Sequence, residues 1–404
     1  MLSQNARVLI EASVPVLREH GAAITSCFYR KMFAAHPELK NLFNMGNQQS
    51  GVQQQSLASA LYAYAANIDN QQALAPVISR IVHKHVSIGI RAEHYPIVGK
   101  YLLEGIADTL GEAATAELLA AWGEAYGLLA SAFIAEEQSL YSAKNIEPGQ
   151  CRAVKVLRKQ QESADVTSFY LVSADGESLP PFQSGQYISI AMNVAALSLR
   201  QLRQYSLSDS PCKDYWRISV KREVANAAQP AGIVSGLMHD QVQEGDTLWV
   251  GPPCGDFVMD AQSQAPLVLI SAGVGVTPMM SMLHTSLRSA PSRRVNFLHA
   301  ARNGRHHPLR SELAALNNEH AVLDTHICYE NPDADDQLGA DFDQAGLLQL
   351  APMTDVLLPQ DGHYYLCGPS PFMQIQRRAL LERGIPAERI QHEVFGPDLV
   401  GHLQ

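Results

Sequence analysis

The 404-residue sequence lacks the features that mark several classes of protein. It shows no internal repeat, no low-complexity segment and no basic run longer than a pair such as Arg377-Arg378. Six cysteines are scattered without a CxxC pair, which excludes a zinc knuckle or disulfide framework and indicates reduced thiols. A net charge of -10 and a pI near 5.8 argue against nucleic-acid or anionic-membrane partners, since both need a basic surface.

Long hydrophobic runs are also missing. The longest, around Leu267 to Val276, is interrupted by glycine and too short to cross a bilayer. The first residues show no basic segment followed by an apolar core, so we expect a soluble cytoplasmic protein. With 46% hydrophobic residues the chain can bury several cores, and its length suggests two or three domains.

Three kinds of periodicity follow one another along the chain. Residues 1–143 show the 3.6-residue apolar period of an all-α domain. Residues 150–262 alternate as expected for an antiparallel β-barrel, and residues 265–404 alternate buried strands with amphipathic helices, as in a parallel α/β sheet. The predicted fold class is therefore multidomain α + β + α/β. Within the helical part, three prolines are predicted to start helices and three glycines to end them: Pro37, Pro76, Pro96, Gly21, Gly89 and Gly111.

One histidine of the helical region stands within an apolar stripe. His85 falls on the same helix side as Ile78, Val82 and Ile88, whereas His83 points elsewhere. An imidazole in such surroundings suits a metal ligand. The alternative is a core histidine bonded to a backbone carbonyl.

Two further side chains could contact that imidazole. Glu137 extends the apolar face of Trp122 and Tyr126, and a buried carboxylate needs a partner. A hydrogen bond to the far nitrogen of a metal-bound imidazole would provide one; the alternative is a solvated Glu137 at a frayed helix end. Tyr95 precedes Pro96 and is predicted to be non-helical, at a helix start where its hydroxyl could reach a neighbour.

Gln53 and Leu57 are predicted one turn apart on a single helix face. An amide donor beside an apolar wall suits a small diatomic ligand that is polarised once bound. The alternative is that Gln53 is a surface residue within the polar run Gln48 to Gln55.

The β and α/β regions carry motifs suited to nucleotides. Arg203-Gln-Tyr-Ser206 combines a guanidinium that could grip a pyrophosphate with hydroxyls spaced to meet a flavin ring; the alternative is an ordinary exposed strand. Gly185-Gln-Tyr187 lies upstream, and Pro230 to Ser235 offers backbone amides at a helix start, where phosphates bind. Ile270 to Pro278 connects a buried strand to a helix through small residues, but lacks the third glycine of the Rossmann fingerprint.

The residues that carry a family resemblance in the helical region are Phe43, Gln53, Leu57, His85 and Tyr95. In this order and spacing they resemble the globin half of the flavohaemoglobins. The resemblance implies that His85 binds the iron of haem b and that Phe43 and Leu57 line the haem pocket. It further implies that Tyr29 hydrogen-bonds the bound oxygen with help from Gln53. Tyr95 and Glu137 match the pair that orients the proximal histidine.

The remaining motifs resemble the flavin and nicotinamide domains of the ferredoxin-reductase family. The positions that match its FAD site are Tyr187, Arg203, Gln204, Tyr205 and Ser206. Those that match its nicotinamide-dinucleotide site are Ala272, Gly273, Val274, Gly275, Val276, Thr277, Cys367, Gly368 and Pro369. Ala272 replaces a glycine that is usual in the family, and we expect binding to survive because alanine adds little volume.

The tail also resembles the family ending, which consists of Glu393, Val394, Phe395, Gly396 and Pro397. In the family the aromatic residue, here Phe395, lies over the flavin. Lys84 and Glu393 match positions that tune the haem and flavin potentials. Plain surface charges are the alternative for both.

The resemblance implies a nitric oxide dioxygenase. NAD(P)H would pass hydride to FAD, the flavin would deliver single electrons to haem, and the oxygenated haem would convert nitric oxide to nitrate. A gas sensor or oxygen carrier, and a flavin reductase with a purely structural helical domain, are the alternatives; reduction of hydroperoxides or lipids is a side activity to consider. We expect a monomer with small-molecule partners, and a lipid is a candidate ligand of the haem pocket. Arg302 could face an adenosine 2′-phosphate or be solvated, so NADH or NADPH remains open.

Overall fold

The computed structural model describes residues 2–68, 70–225 and 230–396, except for the side chains at 71–73. The chain divides into two compact units. The first contains the chain up to Cys151 together with Ala191–Arg203, and the second contains Arg152–Ile190 and Gln204–Gly396.

The first unit is built on helices, as the apolar periodicity predicts. Its helices are α1 (Gln4–Ala35), α2 (Met45–Gln49), α3 (Val52–Ala66), α4 (Gln71–Ile88), α5 (His94–Leu110) and α6 (Ala116–Lys144). Their core contains fully buried apolar side chains such as Ile24, Met32 and Ile106. Helix α6 is long and apolar enough, by length and composition alone, to cross a membrane, although Trp122 and Ala125 on it are buried in this core.

Two of the predicted helix boundaries are wrong. Gly21 lies inside α1, where a Cβ would stand 3.1 Å from the Cβ of Ala58, so this glycine permits close packing of α1 on α3. Pro76 lies inside α4, where its missing N–H removes one backbone hydrogen bond. The prediction for Gly89 is confirmed: it caps α4 in the left-handed region with φ 82°.

The antiparallel sheet begins immediately after the helical region. Its strands, with one helix among them, are β1 (Arg152–Gln161), β2 (Val166–Ser173), β3 (Tyr187–Val194), β4 (Leu199–Ser206), β5 (Trp216–Lys221), α7 (Ile233–Asp240) and β6 (Thr247–Val250). The strand order is β4-β3-β6-β1-β2-β5. A bridge between Leu207, just after β4, and Ile218 on β5 joins the two edges, so the sheet closes as a barrel.

The last part of the chain forms the predicted parallel α/β sheet. Its elements are β7 (Leu267–Ala272), α8 (Val276–Ser289), β8 (Val295–Ala301), α9 (Arg310–Glu319), β9 (Leu323–Tyr329), β10 (Gln344–Ala345), β11 (His363–Cys367), α10 (Ser370–Glu382) and β12 (Ile390–Glu393). The strand order is β10-β9-β8-β7-β11-β12, and every pairing is parallel. The carboxyl ends of β7 and β11 therefore lie side by side, which brings the two predicted nucleotide motifs together.

Candidate functional site

The His85 imidazole is held by residues from two other helices. Its Nδ1 lies 2.7 Å from Oε1 of Glu137 on α6 and 3.1 Å from the hydroxyl of Tyr95 on α5. Tyr95 donates a hydrogen bond to the same Glu137 oxygen at 2.5 Å. Because the Nδ1–H faces a carboxylate, the lone pair is on Nε2, the form of histidine that ligates metals. Within the described part of the chain, Nε2 has no hydrogen-bond partner.

These contacts decide between the alternatives left open by the sequence. Glu137 is only 2% exposed, so it is not a solvated residue at a frayed helix end. His85 bonds a carboxylate and a phenol through Nδ1 rather than a backbone carbonyl. Tyr95 lies in the first turn of α5, whereas the sequence predicts a non-helical position. Burial, followed by the Glu137 carboxylate, raises the pKa of Tyr95, which keeps its hydroxyl protonated as a donor.

Tyr126 is a supporting residue whose role the sequence analysis missed. Its hydroxyl donates to the backbone carbonyl of Tyr95 at 2.6 Å. Gly99 makes room for its ring, since a Cβ at that position would lie 2.5 Å from Cε1 of Tyr126. The periodicity placed Tyr126 and Glu137 on one face of α6, but it contained no signal for this hydrogen bond.

A second group of side chains surrounds the Tyr29 hydroxyl. The Tyr29 ring is 5% exposed and lies against Phe33 and Phe43, with ring centroids 5.7 Å apart in both pairs. Burial raises the pKa of Tyr29, while the side-chain amides of Gln53 and then Gln48 act to lower it. The hydroxyl is therefore a protonated donor at neutral pH.

Two apolar residues of the predicted pocket lie at the edge of the helical core. Phe43 and Leu57 are half-buried and pack against the edge of the helical core. Gln53 is half-buried as well and faces Tyr29, so it is not a plain surface residue. Gln48 was not identified by the sequence analysis, because nothing in the polar run Gln48 to Gln55 distinguishes it from its neighbours.

The predicted flavin motif lies along β4 and the start of β3. Ser206 and Tyr187 are buried, Arg203 and Tyr205 are half-buried, and Gln204 is exposed. Tyr187 exchanges backbone hydrogen bonds with Cys254 at 2.8 and 2.9 Å. At the start of α7, Ser235 Oγ accepts from the Glu223 N–H at 3.2 Å and donates to the Gly232 carbonyl at 3.0 Å.

The two nucleotide motifs of the α/β region contact each other. A Cβ on Gly275 would stand 2.2 Å from the carbonyl oxygen of Cys367, so only glycine fits there. A Cβ on Gly368 would lie 3.1 Å from the Cβ of Ala272. Thr277 Oγ1 donates to the Val274 carbonyl at 2.9 Å, which stabilises the turn into α8. The motif residues from Ala272 to Val276 and the Cys367-Gly368-Pro369 segment therefore adjoin at the carboxyl ends of β7 and β11.

The predicted residues near the cofactor sites differ in their exposure to solvent. Cys367 is fully buried, and burial raises its thiol pKa well above the usual value. Glu393 pairs with it across β11 and β12 and is 4% exposed, so it is not a plain surface charge. Lys84 is half-buried on α4. Arg302 is exposed and lies 3.2 Å from His306 Nε2.

The described tail ends in an exposed aromatic residue. Val394 is buried, Phe395 is 45% exposed, and Gly396 adopts φ 124°, a conformation that favours glycine. Pro397, which belongs to the predicted motif, lies outside the described residues.

A buried ionic cluster in the second unit had no signal in the sequence. Arg217 on β5 donates to Glu312 on α9 at 2.6 Å, and His284 on α8 lies 2.5 Å from the same carboxylate. Burial alone would raise the Glu312 pKa, but the His284 and Arg217 contacts outweigh burial and lower it to about 2. Asp209, His284 and Glu312 approach within 4.8 Å, yet the guanidinium already neutralises the carboxylates, which favours an ion pair over a metal site.

Curated proteins of known family resemble this chain over nearly its whole length. A flavohemoprotein of Chromobacterium violaceum is 51% identical, with the alignment covering 98% of each chain. The chain belongs to the flavohemoprotein family. In agreement, residues 26–133 match the globin family and residues 269–378 match the oxidoreductase NAD-binding domain family.

Solved structures of flavohemoprotein type have the same fold. The flavohemoglobin of Malassezia yamatoensis, crystallised with bound FAD and heme, has a TM-score of 0.86 at 31% identity and covers 98% of this chain and 100% of its own. The FAD/NAD-binding domain of nitric oxide dioxygenase from Vibrio cholerae is 41% identical, with a TM-score of 0.55, and covers 61% of this chain and 99% of its own. The predicted multidomain fold class is therefore confirmed.

The residues present fit the cofactors of the flavohemoprotein family. For haem, the imidazole Nε2 of His85 is available, and half-buried apolar side chains stand at the pocket edge. For the nicotinamide dinucleotide, Gly275 and Gly368 let backbone segments approach closely at the carboxyl edge of a parallel sheet. For FAD, the half-buried Arg203 and Tyr205 supply a cation and a phenol beside a buried serine.

Proposed function

We propose that this flavohemoprotein is an NAD(P)H-dependent nitric oxide dioxygenase. Haem b supplies the iron that binds O2, and FAD converts the two-electron donor NAD(P)H into single electrons. Each NAD(P)H carries two electrons, so two nitric oxide and two O2 molecules would yield two nitrate ions. The observation that carries the proposal is the buried Glu137 at 2.7 Å from His85 Nδ1.

That contact favours oxygen chemistry over simple storage. A carboxylate on Nδ1 would increase the electron density that the imidazole donates through Nε2 to a bound iron. Tyr95 holds the carboxylate oxygen in place through its 2.5 Å hydrogen bond. Glu137 and Tyr95 therefore act through His85 as positioning residues.

The distal residues bind and orient the small ligand. Tyr29 donates its hydroxyl hydrogen to it, Gln53 assists, and Phe43 and Leu57 restrict the pocket and exclude water. The presence of a nicotinamide-binding region in the same chain supports catalytic turnover, because a sensor or oxygen carrier would not need its own reductase. A relative of the reductase part is a nitric oxide dioxygenase domain of Vibrio cholerae, which supports the same activity here.

Within the reductase, this chain's residues bind and position the nucleotides. Arg203 would hold the FAD pyrophosphate, and Tyr205 and Ser206 would meet the flavin ring. The Ala272 to Thr277 loop supports the NAD(P)H phosphates through its backbone amides, and Cys367, Gly368 and Pro369 border the nicotinamide. Phe395 would lie over the flavin ring.

The test is nitric oxide consumption by the purified holoprotein with NADH and O2, following nitrate formed per NADH oxidised. We expect rapid O2-dependent consumption and a ratio near two, and no nitrate in an O2-free control. His85→Ala should lose haem and nitric oxide consumption while its flavin is still reduced by NADH. A holoprotein that contains both cofactors but barely consumes nitric oxide would contradict the proposal and favour another electron acceptor.

A further inference from the structure

A buried arginine joins the end of the flavin motif to helix α9. Arg217 on β5 is 3% exposed and donates to both carboxylate oxygens of Glu312, at 2.6 and 3.1 Å. Its Nε donates to Ser208 Oγ at 3.1 Å, and its Nη2 donates to the Ser208 carbonyl at 2.5 Å. Ser208 lies two residues after Ser206, the last residue of the flavin motif that starts at Arg203. Arg217 therefore holds the strand end that follows this motif.

The same carboxylate contacts helix α8. Glu312 Oε1 lies 2.5 Å from His284 Nε2, and Asp209 Oδ1 lies 3.9 Å from that nitrogen. Ser281, one turn earlier on α8, donates its hydroxyl hydrogen to the Asp209 carbonyl at 2.7 Å. Because Ser281, His284 and Thr285 follow the spacing i, i+3, i+4, they share one face of α8. This face is directed at the segment that follows the flavin motif.

The segment before Tyr187 contacts the same helix. Thr285 Oγ1 lies 2.5 Å from Ser184 Oγ. A Cβ on the next residue, Gly185, would stand 2.8 Å from Cε of Met282, so glycine lets this segment approach α8 closely. Since Tyr187 also matches the FAD site, α8 is attached to the flavin region at two places.

Helix α8 begins where the nicotinamide-dinucleotide loop ends. The loop Gly273–Gly275 leads directly into α8 at Val276. One helix therefore connects that loop to the flavin motif. A buried ion pair is a weak source of net stability, because both charges lose their hydration. Fixing a unique geometry is the role that best accounts for the bidentate contact between Arg217 and Glu312.

We propose that Arg217, Glu312 and His284 are positioning residues for hydride transfer, which hold the nicotinamide loop on α8 at a fixed distance from the flavin motif. The hydride leaves a C–H bond of the dihydronicotinamide with both electrons and forms an N–H bond on the flavin ring. NAD(P)H is thereby oxidised as FAD is reduced. Such a transfer needs the reacting atoms about 3–3.5 Å apart, so small displacements are costly. The inference rests on the proposed function, because it concerns the first step of its electron path.

The experiment compares Glu312→Gln with Asp324→Asn in the full-length protein with haem and FAD bound. Asp324 forms a 2.9 Å ion pair with Arg294 near the amino ends of β8 and β9, opposite the nicotinamide loop. Stopped-flow reduction of the flavin by NADH without O2 gives the limiting rate constant and the apparent Kd for NADH. Soret absorbance and flavin content verify that each variant is folded and loaded.

Glu312→Gln should lower the limiting rate constant by about 10- to 100-fold and leave the apparent Kd close to the parent value. The Kd is retained because the loop contacts of Gly275 and Thr277 lie outside the cluster. Asp324→Asn should keep both values. His284→Asn removes the donor to Glu312 and should also slow the transfer. The double variant should lose no more than the larger single loss, since both changes break one contact.

A limiting rate constant for Glu312→Gln equal to that of Asp324→Asn would overturn the inference. A higher Kd with an unchanged limiting rate constant, or additive losses in the double variant, would do the same. If Glu312→Gln does not retain FAD, His284→Asn decides by the same two values.

This measurement uses no nitric oxide, so it separates the inference from the proposed function. A parent holoprotein whose flavin is reduced by NADH but which barely consumes nitric oxide would contradict the proposed function and leave this test valid. A parent whose flavin is not reduced by NADH would overturn both.

Discussion

Oε1 of Glu137 accepts hydrogen bonds from both His85 Nδ1, at 2.7 Å, and the Tyr95 hydroxyl, at 2.5 Å. A single carboxylate oxygen thus connects α4, α5 and α6. This shared acceptor makes the orientation of His85 depend on α5 and α6.

Glu137→Gln should weaken haem retention and raise the haem midpoint potential, because a neutral amide donates less electron density through the imidazole. Loss of such a partner typically costs about 10- to 100-fold in metal affinity or activity. Haem transfer to an acceptor globin and a redox titration measure the two effects. Glu136→Gln, at an exposed neighbouring position on α6, is the matched control. Equal values for the two variants would contradict the assigned role.

Gly99→Ala should displace the ring of Tyr126 and thereby disturb Tyr95, which contacts His85 and Glu137. The added Cβ would lie 2.5 Å from the Tyr126 ring, which donates to the Tyr95 carbonyl. Overpacking of this kind costs about 1–3 kcal/mol in the free energy of unfolding. Urea unfolding followed by helical circular dichroism should show a lower midpoint. Gly127→Ala on α6, where a Cβ meets nothing within 4 Å, should keep or raise the midpoint.

Gly275→Ala should impair NAD(P)H-dependent flavin reduction while the haem spectrum stays normal. Its Cβ would stand 2.2 Å from the Cys367 carbonyl, so the loop must move away from β11. Misplacing a bound substrate by about 1 Å costs on the order of 100-fold in rate. Stopped-flow flavin reduction measures this. Ala272→Gly in the same loop should remain close to the parent rate. A parent-like rate for Gly275→Ala would contradict the claim that only glycine fits beside the Cys367 carbonyl.

His299 should make the α/β region sensitive to acid. It is fully buried, and burial lowers its pKa to about 3 from an ordinary value near 6.5. Between these values the unfolded chain binds the proton and the folded chain does not. The contribution of the neutral His299 to the free energy of unfolding is complete above about pH 6.5 and is lost as the pH falls toward 3. The loss amounts to about 2 kcal/mol by pH 5.

His299→Asn should therefore reduce the loss of stability between pH 7 and pH 5. Unfolding midpoints at several pH values test this, with His20→Asn, at an exposed histidine, as the control. His307 would maintain part of the acid dependence, because burial lowers its pKa as well. An identical pH profile for His299→Asn and the parent would show that His299 does not contribute.

The sequence was most informative where a pattern repeats or a residue type is rare in its surroundings. The period of α6 placed Glu137 on a buried face, and the hydrogen bond to His85 follows from the energetic need of a buried carboxylate. Alternation and buried runs likewise predicted the barrel and the parallel sheet.

What the sequence missed depends on contacts between distant segments. Gly21 resembles a helix end in isolation, but its function is to admit Ala58 of another helix. Gln48 looks like one polar residue among several until the Gln54 amide donates to its Oε1. Arg217, Glu312 and His284 meet only when β5, α8 and α9 are assembled. No local spacing contains such information.

Helix α6 carries both Tyr126, which fixes the Tyr95 backbone, and Glu137, which fixes the His85 ring. The two side chains point the same way because they are about three turns apart at 3.6 residues per turn. Inserting or deleting a single residue between them would rotate Glu137 by about 100° and leave the imidazole without its carboxylate. In flavohemoproteins that keep the contacts among His85, Tyr95 and Glu137, insertions and deletions should therefore avoid the stretch of α6 from Tyr126 to Glu137. They should accumulate in the loops before and after this helix.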